Sequence, residues 1–196
     1  IAVAEGAEGG RYGRAMEILR DIHAASSKSK SHPVLKRLAL GTALEHAVPV
    51  TLRPAKAEAE KSPEFVDPVQ RYLNYEKAFL AGELDPCFDD ISAWDMRFVV
   101  DGQEPDYVAD WGRDMLANFR PDHVLTGDER WRYVELVRSD IRYGSQDNKY
   151  DRDDLQFFQN ILMNGGICGR RAFIGRFLLR AHGVPALARP QPGHAA

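Results

Sequence analysis

The 196-residue sequence is sparing with sulfur: it holds two cysteines, Cys87 and Cys168, and four methionines. Two cysteines cannot build a disulfide framework, so each thiol is open to other chemistry. No apolar run reaches the roughly 20 residues of a membrane-spanning helix. The phosphate-loop pattern Gly-x-x-x-x-Gly-Lys is missing, although Gly165-Gly166 offers a glycine pair. His23, His32, His46 and His123 are scattered without metal-ligand spacing, and no cofactor motif is present. No metal and no cofactor are therefore expected. Nor is there an excess of positive charge. With 26 Lys and Arg against 29 Asp and Glu, the net charge is −3, which excludes general attraction to nucleic acid or to an anionic membrane. Internal repeats and low-complexity tracts are absent as well.

What is present is enough to build a packed core. Hydrophobic residues make up 44% and charged residues 28%, the balance of a globular chain with one domain or a domain plus an accessory lobe. Residues 1–10 are small and Gly/Ala/Glu-rich, a flexible terminus or linker. Residues 11–143 read as a helical lobe. Ala15, Ile18, Leu19 and Ile22 recur at helical spacing. Pro33 opens the next helix, which runs to about His46. Asp67-Pro68 pairs a capping aspartate with a first-turn proline. Further helices are predicted over 90–100, 105–119, 128–143 and 151–163. A final helix starts at Cys168, and Val184–Arg189 is the one convincing strand.

The richest stretch is Asn164-Gly165-Gly166-Ile167-Cys168-Gly169-Arg170-Arg171. Two glycines break one helix and Cys168 opens the next at its first turn. A helix N-terminus presents unpaired N–H groups and partial positive charge, which favour a thiolate and later an oxyanion. His194 follows 26 positions on, in Gly193-His194-Ala195. A cysteine paired with a histidine is the constellation of covalent acyl chemistry: the thiolate attacks a carbonyl and the imidazole handles the proton. Cys87, between Pro86 and Phe88 with no histidine near it in sequence, reads as structural.

The order helix, double glycine, cysteine-headed apolar helix, Gly183-Val184-Pro185, strand, Gly193-His194 resembles the core of the transglutaminase-like superfamily, relatives of the papain-type peptidases. The match covers about residues 140–196 and includes Ala172, Phe173 and Leu178 to Ala186. The resemblance implies an α+β fold, with residues 144–196 forming the start of a papain-like core whose sheet is truncated. It implies Cys168 as nucleophile, His194 as base, and a protein or peptide substrate attacked at an amide or ester bond. The family's third residue, an aspartate after the histidine, has no counterpart before Ala196. Ala195-Ala196 stands where the family carries an aromatic residue. A catalytic His194 so close to Ala196 leads to the expectation of a longer polypeptide.

A rival reading keeps the fold without the chemistry, as a binding or scaffold module, because fold does not determine activity. A third makes the chain a helical interaction domain with an incidental Cys168. Trp131 and Gln159 are candidate oxyanion donors, against the plainer reading of each as a core or surface helix residue. Arg170, Arg171, Arg176, Arg180 and Arg189 crowd around the cysteine. They stabilise a thiolate or attract an acidic substrate on one reading. On the other they form a solvated face paired with Asp151, Asp153 and Asp154. Neither a compartment nor an oligomeric state follows from the sequence.

Overall fold

Helical periodicity governs the computed structural model, which describes residues 11–125, 128–144, 149–150 and 157–188. Ten α-helices occur among these residues. α1 spans Tyr12–Ala25, α2 Lys28–Ser31, α3 Pro33–Glu45, α4 Pro68–Leu80 and α5 Ala93–Val100. α6 spans Asp106–Phe119, α7 Pro121–Leu125, α8 Glu135–Ser139, α9 Phe158–Asn164 and α10 Cys168–Ala181. Local signals work as expected at α4: Asp67 Oδ1 accepts the N–H groups of Val69 at 2.8 Å and Gln70 at 3.1 Å, and Pro68 fills the first position, where no N–H is needed.

Among the described residues two large apolar cores result, beside a small cluster of Ala15 and Ala47. In the first, Ile18 and Ile22 of α1 meet Leu35 and Leu38 of α3, Tyr72 of α4 and Met96 of α5. The second joins α6, α8, α9 and α10 through Leu116, Leu136, Ile161, Ile174 and Phe177. There Phe158 and Phe177 stack with ring centroids 3.8 Å apart.

Buried arginines bind the two cores together by serving helix ends. The last carbonyls of a helix have no intrahelical donor. At the end of α5, Phe98 O accepts from Arg180 Nε at 3.2 Å, and Val99 O lies 3.2 Å from the Tyr75 hydroxyl. Val100 O accepts from Arg71 Nη1 at 3.1 Å and from His46 Nε2 at 3.1 Å. Arg71 also donates to Gly102 O and Glu104 O and pairs with Asp106. At the end of α10, Arg113 Nη1 donates to Ala181 O at 2.9 Å. α10 of the second core thus helps cap α5 of the first through Arg180, and Tyr75 of the first core donates in return to Arg180 O at 3.0 Å near the end of α10.

The expected α+β class is wrong. The described residues are 66% helix and 2% strand without a sheet, so they form no papain-like core. Its β structure among the described residues is two isolated bridges, Thr51 with Phe65 and Tyr143 with Gly166. Within the predicted strand, residues 184–188 pair with no other strand. A strand exists through its partner's ladder. Here Ala186 N donates instead to Phe98 O at 3.3 Å and Ala186 O accepts from Arg180 Nε at 3.0 Å. The helix predicted over 128–143 is also interrupted. Glu129–Trp131 is a 3₁₀ turn, and Tyr133 takes φ +67° before α8 begins. Tertiary contacts hold Tyr133 there: its hydroxyl donates to Asp85 Oδ2 at 2.7 Å and its ring stacks 4.1 Å from His182.

Candidate functional site

Cys168 is the first residue of α10 and is exposed. The turn that delivers it depends on Gly165, at φ +76° and ψ −162°, a region essentially reserved to glycine. A Cβ at Gly165 would also run into the carbonyl of Arg142. The next residue, Gly166, donates to Arg142 O at 3.0 Å and bridges Tyr143. Asn164 ties the preceding turn to Tyr150, its side chain accepting from Tyr150 N at 3.0 Å and donating to Tyr150 O at 2.7 Å. From the other side, Arg171 donates to Val137 O at the end region of α8 and lies over the Tyr143 ring. The head of α10 is therefore held on two flanks. Its N-cap, Ile167, has no side-chain oxygen to offer, so no side-chain cap occupies the first-turn N–H groups.

Cys87 is a different kind of thiol. It is half-buried beside Asp85, and burial together with the hydrogen bond to that carboxylate pushes it up to about 12. It stays protonated at neutral pH and is inert as a nucleophile.

His194 lies outside the described residues, as do Arg189, Asp151, Asp153 and Asp154. Of the candidate oxyanion donors, Trp131 lies under the Arg138 guanidinium, 4.6 Å from its ring centroid. It lines a recess with Gly175 and Leu179, two turns along α10 from the cysteine. Gln159 is on α9 with a buried, unpartnered Oε1. His182, beside the helix-ending Gly183, caps α10 as a neutral ring. Its Nδ1 donates to Leu178 O at 2.8 Å, and burial lowers its pKa to about 4.

The arginines around Cys168 divide by role. Arg171 and Arg180 are structural, the one bound to Val137 O, the other to Asp101, Phe98 O and Ala186 O. Arg170 and Arg176 line a cleft of about 980 Å³ beside the cysteine, joined by Arg53 from a distant loop. Ile167 and Gly169, the two neighbours of Cys168, form part of its wall, and Phe173 and Leu187 contribute apolar surface. The stem of Arg170 crosses Gly166 so closely that a Cβ there would come within 2.6 Å of it. Sequence reasoning missed Arg53, which is 115 positions from Cys168 and carries no motif. It reaches the cleft because its N–H donates to Gln103 O at 2.6 Å, next to the bridge between Thr51 and Phe65.

Among the described residues no helix is long and apolar enough to cross a membrane, and no cluster of three His, Cys, Asp or Glu could hold a metal ion. Compared with protein-family models, curated proteins and solved structures, the chain matches none.

Proposed function

We propose that the chain carries a transglutaminase-like cysteine activity, in which Cys168 forms an acyl-enzyme from an amide or ester and passes the acyl group to water or an amine. The observation that carries this reading is the exposed thiol at the first position of a 14-residue helix, seated on a turn that glycine makes possible. A helix end of that length favours an anion at its N-terminus. Its uncapped first-turn N–H groups are the donors that a tetrahedral oxyanion requires.

In the proposed reaction the thiolate attacks the carbonyl carbon, forming a C–S bond and an oxyanion. Collapse breaks the C–N or C–O bond, and the leaving amine or alcohol takes its proton from the imidazolium of His194. The same imidazole then removes a proton from the incoming water or amine, and the thiolate is released. The role of His194 rests on its place in the sequence motif.

Intact-mass analysis after mixing with p-nitrophenyl acetate tests the proposal. One acetyl group is expected on Cys168. It should form about 10²-fold faster or more than on a free thiol such as N-acetylcysteine, the gain a positioned base provides. Cys168→Ala should abolish the adduct, and His194→Ala should slow it to the free-thiol rate. Acetylation of wild type no faster than the free thiol, or unchanged in His194→Ala, would defeat the reading.

A further inference from the structure

The cleft beside Cys168 has a chemistry of its own. Residues 169, 172, 173 and 176 lie on one face of α10 by the three- and four-residue spacing of a helix and make one wall. The opposite wall is the segment around Arg53 and Gln103, pinned by the backbone hydrogen bond between them. Arg53, Arg170 and Arg176 thus approach one cavity from two remote parts of the chain. The guanidinium groups of Arg53 and Arg176 make no ion pair with a carboxylate among the described residues. Arg176 is half-buried and rests against the Phe173 ring, 5.7 Å from its centroid. Burial, and then the neighbouring Arg180, lower its pKa, so this cation is under-compensated where it stands. Asp101 and Glu104 act on it in the opposite sense. Asp101 is engaged by Arg180, and Glu104 lines the adjoining recess with Phe157 and Phe158.

We propose that this cleft binds an acidic peptide segment and presents it to Cys168. Guanidinium forks match carboxylates in a bidentate way, and two of these three are exposed or half-buried with no carboxylate partner among the described residues. The volume exceeds that of a single small anion and lies in the range of organic-ligand pockets. Phe173, Ile167 and Leu187 supply apolar surface for a chain between its carboxylates. Calling the ligand a substrate rests on the cysteine reading; the binding itself does not.

Fluorescence anisotropy separates the two. The Cys168→Ala chain is titrated into a labelled Glu/Asp-rich peptide, into its Gln/Asn counterpart, and in competition with inorganic phosphate. The acidic peptide should bind at least about tenfold more tightly than the amide counterpart, and added salt should weaken it. Arg53→Gln and Arg176→Gln should each cost about tenfold. Arg138→Gln, whose arginine pairs with Glu135 outside the cleft, should change nothing. Arg53 is exposed, so its substitution leaves the fold intact. Equal binding of the two peptides, or affinity unmoved by both cleft substitutions, would overturn the proposal. So would a cleft that takes phosphate but not the acidic peptide. Tight, arginine-dependent binding of that peptide without any acyl-enzyme in the wild-type chain would uphold the cleft and refute the nucleophile.

Discussion

At Gly165 a single residue joins the fold to the proposed chemistry. Its backbone conformation is nearly closed to side-chain-bearing residues, and the Arg142 carbonyl fills the space a Cβ would need. Gly165→Ala is expected to destabilise the chain by about 1–3 kcal/mol from the backbone alone. Because backbone rather than a flexible side chain blocks the Cβ, the segment leading to Cys168 must shift as well. Thermal denaturation and iodoacetamide labelling of Cys168 check this together. A variant as stable as wild type, labelled at the same rate, would mean that the turn accepts alanine. Cys168 and the glycine pair were legible because a break, a thiol and a helix start fall within five consecutive residues. Arg53 was illegible, since nothing local distinguishes it from any surface arginine.

The elements are stopped and joined by arginine. α5 is only eight residues long, and its closing carbonyls are satisfied by Arg71, Tyr75, His46 and Arg180 from three other parts of the chain. Arg71 is almost wholly buried and serves three carbonyls and Asp106 at once. Arg71→Met is expected to cost about 3–5 kcal/mol, the scale for removing one partner of a buried ion pair. Arg71→Lys should recover little of this, because an ammonium cannot span the same acceptors. Arg138→Met, which removes an exposed pair with Glu135, should cost under about 1 kcal/mol. Urea denaturation of the three variants checks the order. Helical periodicity foretold α1, α3, α4 and α6 closely. It failed over 128–143, where Asp85 and His182 hold Tyr133 in a conformation that no helix contains.

Across the whole molecule, buried ionisable groups set a dependence on acid. Burial first, and then the Arg71 guanidinium, lower His46 from 6.5 to about 3; burial lowers His182 to about 4. Both rings are neutral when folded, but each takes a proton near pH 6.5 once unfolded. Stability is therefore complete above about pH 6.5 and drains as pH falls toward 4 for His182 and toward 3 for His46, by at most about 1.4 kcal/mol per pH unit per group. Asp101 works in the other direction. Burial raises its carboxyl from 3.8 to about 6, so acidification between those values adds stability. Burial also raises Asp106 and lowers His23 and His123, so among the described residues four lowered histidines stand against two raised carboxylates, and the chain should weaken on acidification. His46→Gln, which can retain a donor toward Val100 O, should flatten the loss. Urea midpoints for both proteins at about pH 7, 5.5 and 4 check this, and parallel curves would remove His46 as a cause.

By itself the sequence determined the local events. It set where most helices run, that Asp67-Pro68 starts one, and that a glycine pair places Cys168 at the head of another. These depend on side-chain spacing and on conformations open to a few residue types, which neighbours in the chain are enough to dictate. Tertiary structure decided the rest. Residues 184–188 form no strand because the end of α5 and Arg180, not a neighbouring strand, take up the hydrogen bonds of Ala186. Arg170 and Arg176 line a cleft while Arg171 and Arg180 hold helices together, although all four share one helix. Which role each takes depends on the carbonyls and carboxylates that distant segments bring within reach, and chain spacing holds no record of them.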